Sequence, residues 1–418
     1  MDAAEYVRKL ASGAKVAAAA LAQSSGAVRN AALLAAAAAI RGGKPALQQA
    51  NGKDLAAAGK ADLSEAMIDR LRLTDSRIEA MAVALEQIAA QVDPVGATIA
   101  AYNRPNGLRV EKRRVPIGVI AIIYESRPNV TADAAGLCLK SANACILRGG
   151  KEALHSNLAI ASLLRQAVAA SRLPPEAVSI VDNTDRAVVT AMCRAEGLID
   201  LVVPRGGEQL IRAVVEAATI PVIKHFAGNC HVYVHAAADL DMAGRIVINA
   251  KCQRPAVCNA VETLLVDAAV AEAFLPRVAK SLTDKGVELR GCPQSRRLVP
   301  TMKPATEEDW RMEYLDLILA VRVVDGLEEA IDHINAYGSK HTDAIVTESV
   351  AAAEKFVAAV DSSSVMVNAS TRFSDGGEYG LGAEVGISTD KLHARGPMGA
   401  EDLTTYKWIV TGRGHLRT

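Results

Sequence analysis

Two cysteines stand six positions apart in the stretch KCQRPAVCNAVET, residues 251–263. Cys252 ends a pattern typical of an amphipathic helix, 239–252, where a small thiol that fills buried space is the simpler interpretation. Cys258 follows in the loop before the strand pattern ETLLVD, and Arg254 is close enough in sequence to stabilise its thiolate. Cys258 is therefore a candidate nucleophile, although these residues alone also allow a structural thiol.

Two glycine turns follow apolar strand patterns and could hold a phosphate. The first is LRGGKEA, residues 147–153, and the second is PRGGEQL, residues 204–210, which opens a helix pattern. Backbone N–H groups at such turns bind phosphate in doubly wound sheets, but an ordinary strand-to-helix turn would look the same. Cations beside the turns suit the 2′-phosphate of NADP(H), so we select six candidate cofactor-binding residues: Arg148, Gly149, Lys151, Arg205, Gly206 and Gly207.

The order of apolar and amphipathic segments predicts the elements that position these residues. After an Ala-rich helical region, strand and helix patterns alternate from residue 115 to a strand pattern IPVIKHF, 220–226, and alternate again from CHVYVHA at 230. Such a rhythm is typical of open parallel sheets, so the sequence predicts an α/β fold with two doubly wound units. In the helical region, Ser76 and Glu79 have the spacing of a capping box and predict a helix that begins there.

Two further segments indicate self-association. LRVEKRR, residues 108–114, alternates apolar and charged residues, and DLTTYKWIVTG, residues 402–412, is a strand pattern with no helix after it. A lone terminal strand commonly pairs with another sheet, here one of a partner subunit. We therefore expect a homo-oligomer and a small β element devoted to assembly.

Composition argues against several classes of function. The chain has 47 basic and 47 acidic residues and no basic block, so a nucleic-acid partner is not expected. The apolar run AALLAAAAAI is about half of a bilayer span, and the acidic first residues do not look like an export signal, so no membrane partner is expected. The seven cysteines are scattered without CxxC pairs, which favours a reducing cytoplasm and predicts no metal site.

Four longer motifs carry a resemblance to a known family. They are PIGVIAIIYESRPNVTADAAGLCLKSANACILRGGKEA, LVVPRGGEQLI, QRPAVCNAVETLLV and VDGLEEAIDHINAYGSKHTDAIVTE. On these motifs the chain resembles, over its full length, the gamma-glutamyl phosphate reductases of the aldehyde dehydrogenase superfamily. The spacing of His333, Tyr337, His341 and Asp343 is similar to that family's signature. The resemblance implies an aldehyde dehydrogenase-like fold, NADP(H) as cofactor, and reduction of L-glutamyl 5-phosphate to L-glutamate 5-semialdehyde in proline biosynthesis.

The resemblance also assigns roles to single residues. Cys258 matches the nucleophile that forms a thioester, and Asn129, in SRPN, matches the amide that stabilises the oxyanion together with the cysteine's backbone N–H. An Asx turn after Pro128 is the alternative for Asn129. Glu313, in EYLDLILAV, stands where the superfamily's glutamate holds the nicotinamide ribose, although alone it would be taken for a solvated residue. For an anionic, zwitterionic substrate we select four candidate binding residues: Arg127, Arg254, Asn368 and Ser370.

One position departs from the superfamily's pattern. His225, in KHFAGNC, stands where related enzymes keep the glutamate that activates water, and beside Lys224 we expect it to be a poor base or to point elsewhere. Loss of that carboxylate fits an acyl group that is exchanged with phosphate, so that water must be kept out. Transfer to coenzyme A, as in other acylating aldehyde dehydrogenases, is one alternative, and a non-catalytic binding module with the same fold is another.

The resemblance divides the chain into three parts. Residues 1–107, 124–228 and 369–400 are expected to bind the cofactor, and residues 229–368 to form the catalytic domain. Residues 108–123 with 401–418 are expected to form the oligomerisation element. Glutamate 5-kinase is a candidate channelling partner.

Overall fold

The computed structural model describes residues 2–61 and 65–417. The helices are α1 (Ala3–Leu21), α2 (Gly26–Gly42), α3 (Lys44–Lys60), α4 (Glu65–Leu71), α5 (Asp75–Ala90), α6 (Asn129–Lys140), α7 (Leu154–Ala170), α8 (Arg186–Cys193), α9 (Glu208–Ala217), α10 (Leu240–Cys252), α11 (Ala268–Thr283), α12 (Pro293–Leu298), α13 (Leu327–Tyr337) and α14 (Val350–Ala359). The strands are β1 (Thr98–Asn103), β2 (Arg109–Pro116), β3 (Val119–Tyr124), β4 (Ala144–Arg148), β5 (Val178–Ile180), β6 (Leu201–Arg205), β7 (Cys230–Val234), β8 (Val261–Asp267), β9 (Glu288–Gly291), β10 (Lys303–Pro304), β11 (Ile318–Val324), β12 (Thr342–Val346), β13 (Ser364–Val367), β14 (Ile387–Ser388), β15 (Gly396–Pro397) and β16 (Thr404–Thr411). Within the described ranges, no helix is long and apolar enough to cross a membrane.

The Ala-rich start of the chain forms helices that pack against the first parallel sheet. Buried alanines and leucines of α1, α2 and α5 share one hydrophobic core with β3 and β4. The start of α5 differs from the prediction. Thr74 caps this helix, because its hydroxyl accepts a hydrogen bond from the Arg77 N–H at 3.2 Å, so the capping box predicted at Ser76 and Glu79 is wrong.

β3 lies inside a four-stranded parallel sheet with the order β5-β4-β3-β6. It is buried along its whole length, as its continuous apolar sequence predicts. The chain runs from β3 outward to β5 and then returns to the other side of β3 at β6, so the carboxyl ends of these strands border a topological switch point, where such sheets bind ligands. The strand predicted at 220–226 is wrong, since these residues make a single isolated bridge, between Val222 and Val202.

The second unit is a seven-stranded parallel sheet with the order β10-β9-β11-β8-β7-β12-β13. All seven residues of β8 are buried. Helices α10 and α11 pack on one face of the sheet, and α13 and α14 form a separate core with Tyr233 and Leu265 on the other. The loop 253–260 enters this sheet at the amino end of β8, and that loop contains Cys258.

The third sheet is antiparallel and has three strands in the order β1-β2-β16. The predicted fold class, two α/β units with a small β element, is therefore confirmed. β16 pairs with β2 over its full length, from Thr404 opposite Pro116 to Thr411 opposite Arg109. The terminal strand therefore finds one partner within its own chain, and its pairing with a partner subunit stays a prediction. Its second edge is unpaired in the described structure, and three large side chains on one face of β16 are exposed: Tyr406, Trp408 and Val410.

Strand membership differs from the predicted domain boundaries at two places, while the division as a whole stays a prediction. β1, at 98–103, pairs with β2 although the predicted cofactor-binding part extends to residue 107. β3, at 119–124, belongs to the four-stranded sheet although the predicted oligomerisation element extends to residue 123. The chain changes sheets just before β3, at Gly118, whose φ of +133° only glycine adopts easily.

The exposed face of β16 generates a prediction about assembly. We expect the double substitution Trp408→Glu and Val410→Glu to convert an oligomer into monomers, because it places two charges on the apolar face of the strand. The matched control is Thr405→Glu with Thr411→Glu, which adds equal charge to exposed positions on the opposite face. Sedimentation velocity measures both, and an unchanged profile for the first variant would contradict an assembly role for this face.

Candidate active site

Cys258 lies between the end of α10 and the start of β8, and its side chain is half-buried. Cys252, in the last turn of α10, is also half-buried, and burial raises the pKa of its thiol. The remaining cysteines are buried: Cys138, Cys145, Cys193, Cys230 and Cys292. Cys258 is therefore the accessible thiol that lies outside a regular element.

The segment that precedes β7 packs directly on the backbone of Cys258. A β carbon at Gly228 would overlap the Cys258 carbonyl oxygen and come within 2.5 Å of the Cys258 Cα, so any side chain at this position would push the loop away. The same carbonyl accepts a hydrogen bond from the Cys230 thiol, with Sγ 3.2 Å from the oxygen. Two residues of one segment thus fix the position of the nucleophile loop relative to β7.

Two imidazoles lie next to the Cys258 sulfur. One ring nitrogen of His225, one of His341 and the Cys258 Sγ all lie within 4.8 Å of one another, and the two rings meet edge to face with centroids 5.4 Å apart. His225 Nδ1 lies 2.8 Å from the Ile387 carbonyl oxygen, which can only accept, so Nδ1 carries the proton and Nε2 is left as a base. Burial lowers the pKa of His341 to about 4, so this ring is neutral at physiological pH.

His225 lies close to the sulfur, so of the two expected outcomes a side chain that points elsewhere is wrong, and a base too poor to activate water stays a prediction. The reason is the position of Lys224, which forms an ion pair of 2.9 Å with Asp390. The Lys224 backbone N–H also donates to Asp390, at 3.1 Å. Because Asp390 binds both groups of Lys224, the ammonium does not occupy the space between His225 and Cys258.

Several arginines lie close to Cys258. The pKa of Arg127 falls to about 10, first through burial and then through the positive charges of neighbouring arginines, while the Cys258 thiolate opposes the shift. Burial and the charge of Arg254 likewise lower the pKa of Arg372. A bound anion would relieve this crowding of like charges, so the residues form a candidate anion site. We refer to them as the arginine cluster: Arg70, Arg127, Arg254 and Arg372.

Sequence reasoning selected only two of these four arginines. Arg372 Nε donates to Gln253 Oε1 at 2.8 Å, and its NH1 group donates to the Asn259 side chain, so it lies over the nucleophile loop. Its position directly after the NAST segment was the available signal. Arg70, in α4, donates to the Ala256 carbonyl at 3.4 Å across 186 positions of sequence, and nothing local indicates that contact.

Asn129 is the first residue of α6, and its side chain is oriented by a carboxylate. Asn129 Nδ2 donates to Asp133 Oδ2 at 2.9 Å. Burial raises the pKa of Asp133 to about 6, and the hydrogen bond from Asn129 opposes that shift. One amide hydrogen of Asn129 is thereby held by Asp133, which leaves the second hydrogen for another acceptor. Asp133 is a positioning residue that sequence reasoning missed.

The Glu313 carboxylate contacts Gly228, the residue that packs on the Cys258 backbone. Burial raises the pKa of the Glu313 carboxyl, against the opposing effect of a hydrogen bond from the Gly228 N–H. The segment around Glu313 is anchored by a fully buried ion pair between Lys251 and Glu262, with Nζ and Oε2 2.6 Å apart. Glu262 also accepts a hydrogen bond from the Leu315 N–H at 3.3 Å. The glycine that packs on Cys258 thus also places Glu313.

The first glycine turn, after β4, has the features of a ligand site. A β carbon on Gly149 would overlap the Asn157 side-chain amide, so the turn requires glycine for close packing. Arg148 donates to main-chain carbonyls, including that of Thr184 at 3.4 Å, and Lys151 is exposed. Two cations therefore stand at the carboxyl end of β4, where a phosphate group can reach them.

The second glycine turn, after β6, already contains an anion. The Gly207 N–H, just before α9, donates to Glu125 Oε2 at 2.9 Å. Arg205 forms an ion pair of 2.9 Å with Glu384. Each turn therefore has a carboxylate beside it, Glu152 next to Gly150 in the first and Glu125 on the Gly207 N–H in the second, and a phosphate fits the second by displacing Glu125.

Asn368 and Ser370 use their side chains to hold the main chain. Asn368 Oδ1 accepts from the Thr347 N–H and its Nδ2 donates to the Thr347 carbonyl, each at 2.9 Å. Ser370 Oγ accepts from the Arg372 N–H at 3.3 Å. Both residues therefore support the segment that carries Arg372, and their part in substrate binding stays a prediction.

Comparison with known proteins shows which family the chain is similar to. Residues 1–290 match the model of the aldehyde dehydrogenase family. The chain is 57% identical over 417 residues to the gamma-glutamyl phosphate reductase of Geobacter metallireducens, and the match covers 100% of both chains. It is also similar to the crystal structure of gamma-glutamyl phosphate reductase from Thermotoga maritima, with a TM-score of 0.96, 45% identity, and coverage of 99% of this chain and 100% of that one.

A more distant likeness concerns the fold alone. An engineered glycolyl-CoA reductase with bound NADP⁺ has a TM-score of 0.69 to this chain at 17% identity, and the match covers 97% of this chain and 96% of that one. The two chains share an architecture.

Exposure and surroundings predict which thiol reacts first. With limiting iodoacetamide at neutral pH, we expect Cys258 to be alkylated at least about tenfold faster than Cys252, because burial disfavours the Cys252 thiolate. Peptide mass spectrometry gives the rate at each position. Cys258→Ser should remove the fast reaction, and the matched control Cys252→Ser should keep it.

Cys292 provides an internal check on this ranking. Burial raises the pKa of its thiol, but hydrogen bonds from Ser295 outweigh that effect and the net shift is downward. Its side chain is only 8% exposed, so access limits its reaction. Faster labelling of Cys252 or Cys292 than of Cys258 would contradict the assignment of the nucleophile.

Proposed function

The chain belongs to the aldehyde dehydrogenase family and, within it, to the gamma-glutamyl phosphate reductases, so it is an oxidoreductase, and from this premise we propose that it reduces L-glutamyl 5-phosphate to L-glutamate 5-semialdehyde and phosphate with NADPH. This is the second step of proline biosynthesis from glutamate. The observation that carries the proposal is the half-buried Cys258, whose sulfur lies within 4.8 Å of a ring nitrogen of His225 and of His341 and interacts with Arg127 and Arg372 of the arginine cluster. A thiol suits acyl transfer, and fixed guanidinium groups suit a substrate with a carboxylate and a phosphate.

In the first step, Cys258 attacks the acyl carbon of the substrate. His225 Nε2 takes the thiol proton, because Nδ1 is committed to the Ile387 carbonyl. A carbon–sulfur bond forms, the bond from carbon to the phosphate oxygen breaks, and the proton leaves with the phosphate. The arginine cluster stabilises the negative charge that gathers on this leaving group.

In the second step, the thioester is reduced to the aldehyde. NADPH, when bound, supplies the hydride that adds to the thioester carbonyl. The free amide hydrogen of Asn129 and the backbone N–H of Cys258 stabilise the oxyanion in both steps, since the attacked carbon stays on the same sulfur. When the carbon–sulfur bond breaks, the Cys258 thiolate is restored and the aldehyde leaves.

The cofactor is proposed to lie at the carboxyl ends of β4 and β6. Arg148 and Lys151 hold the 2′-phosphate, which favours NADP(H) over NAD(H). The Gly206 and Gly207 turn takes a diphosphate oxygen after Glu125 withdraws. Glu313 holds the nicotinamide ribose, because its carboxylate is fixed by the residue that packs on Cys258.

The wider organisation is proposed on the same basis. Residues 229–368 act as the catalytic domain, and β1, β2 and β16 act as the assembly element of a homo-oligomer. The described cysteines are all free, which supports a cytoplasmic enzyme. Glutamate 5-kinase is proposed as a channelling partner because its product is a reactive acyl phosphate.

The reverse reaction tests the proposal through its acyl acceptor. Oxidation of glutamate 5-semialdehyde with NADP⁺ should rise at least about tenfold on addition of phosphate, because the arginine cluster holds phosphate next to the thioester and raises its effective concentration. Initial rates are measured with phosphate, with coenzyme A and with neither. Activity with coenzyme A alone would identify the acyl-CoA branch, and a full rate with neither would mean that water is the acceptor.

Variants of the nucleophile complete this test. Cys258→Ser should lower the rate by several orders of magnitude, on the order of 10⁴-fold or more, and Cys252→Ser should retain most of it. Equal activity of Cys258→Ser and the wild type would contradict the role of Cys258 as nucleophile, whereas no activity in either protein would favour a non-catalytic binding module.

Gly228 generates a second prediction. Gly228→Ala should lower the reductase rate by about 100-fold, since the added methyl group displaces the Cys258 backbone and the fixed position of Glu313 together. Gly244→Ala in α10 is the matched control, because a β carbon there meets nothing within 4 Å. Stopped-flow single turnovers with unchanged thermal melting would show that the loss is local. Full activity of Gly228→Ala would contradict the packing argument.

A further inference from the structure

We propose that Cys258, His225 and His341 together form a reversible Zn²⁺ site that blocks the nucleophile when it is filled. The three side chains offer one thiolate and two imidazoles, and their donor atoms lie within 4.8 Å of one another. A borderline-soft ion that prefers tetrahedral sulfur and nitrogen donors suits this set, and three protein ligands leave a fourth position for water or a substrate group. Its members come from three separate segments, so no local sequence pattern predicts the site.

The second observation is an unpaired donor in His341. Its Nε2 is buried and has no hydrogen-bond partner in the described structure, and the whole residue is 0% exposed. A buried ring nitrogen without a partner costs free energy that a metal ion would recover. The other nitrogen, Nδ1, is engaged, since it lies 2.8 Å from the Thr342 hydroxyl.

Each imidazole already has the outer partner that a metal ligand needs. His225 Nδ1 is held by the Ile387 carbonyl at 2.8 Å, and His341 Nδ1 by the Thr342 hydroxyl. The Ile387 carbonyl can only accept, so it fixes the His225 tautomer that keeps the Nε2 lone pair for the metal, and the Thr342 hydroxyl is able to accept from His341 Nδ1 in the same way. The separations require a small contraction, because donors around tetrahedral zinc stand roughly 3.3–3.6 Å apart. Rotation of the half-buried Cys258 and His225 side chains can supply it.

Charges around the cluster are mixed and do not exclude a cation. The positive charges of the arginine cluster oppose the binding of a metal cation. Three carboxylates act on His341 in the opposite sense and favour positive charge there, Glu384, Glu313 and Asp343, although Arg205, which pairs with Glu384, acts against it. The complex of the ion with the Cys258 thiolate also carries less net positive charge than the free ion.

Metal binding rests on geometry alone, whereas its inhibitory effect rests on the proposed role of Cys258. The test therefore measures binding and activity separately. Enzyme stripped with a chelator and dialysed is titrated with Zn²⁺ against a chromophoric competitor, and with Co²⁺ as a spectroscopic probe. We expect one Zn²⁺ per chain, tetrahedral Co²⁺ bands with a thiolate-to-cobalt transition, and loss of reductase activity that a chelator restores.

The variants identify the ligands. Cys258→Ser should abolish the thiolate-to-cobalt transition, and His341→Gln and His225→Gln should each weaken Zn²⁺ binding at least about tenfold. His225→Gln keeps the test valid if the buried His341→Gln variant fails to fold. His393→Gln, at an exposed histidine, and Cys252→Ser are the matched controls and should bind as the wild type does.

The outcomes separate the two proposals. Equal Zn²⁺ affinity of the wild type and all three ligand variants, or octahedral Co²⁺ without the thiolate transition, would overturn the metal site. Zn²⁺ bound by the three residues with undiminished reductase activity would instead keep the site and remove Cys258 as the nucleophile.

Discussion

The close approach of Gly228 to the Cys258 carbonyl is the constraint on which the site depends. The segment that includes Gly228 crosses from the four-stranded sheet unit to β7, so the nucleophile loop is positioned by the connection between the two units. Nearby residues of the same segment reinforce it. Cys230 donates to the Cys258 carbonyl, and Asn229 donates to the main chain at Trp310 and Tyr337. Displacement of this segment would disturb Cys258, the proposed nucleophile, together with the Glu313 carboxylate and His225.

Buried polar groups hold the surrounding framework. Lys251 and Glu262 form an ion pair in which both side chains are 0% exposed. His231 and Asp343 pair at 2.8 Å, and both of their side chains are also fully buried. Removing one member of such a pair leaves the other charge or polar group buried without a partner, which is far more costly than losing a surface pair. These pairs anchor the segment before β11 and the strand β12. Rigid neighbours of this kind keep a half-buried thiol in one position without enclosing it.

The fold could largely be predicted from the sequence, whereas the site could be predicted only in part. The continuous apolar run of β3 determines a buried parallel strand, and the loop position of Cys258 follows from the pattern around it. Arg70, His341 and Asp133 carry no local signal, because their roles arise from contacts between distant segments. The strand predicted at 220–226 failed for a related reason. An apolar run predicts burial, and here Ile220 and Ile223 are buried in a connecting segment that makes a single bridge and does not form a ladder strand.

The Glu125 carboxylate at the Gly207 N–H has a kinetic consequence. An amide at a helix N-terminus that already holds an internal anion gains a ligand phosphate by exchange rather than by addition. On the proposed binding of the cofactor diphosphate at this turn, the affinity for the cofactor is the difference between two anions on one donor, and Glu125 competes for that donor when the cofactor leaves. Such a competitor shortens the lifetime of the bound state. For an enzyme that must release oxidised dinucleotide in every turnover, fast departure can matter more than tight binding.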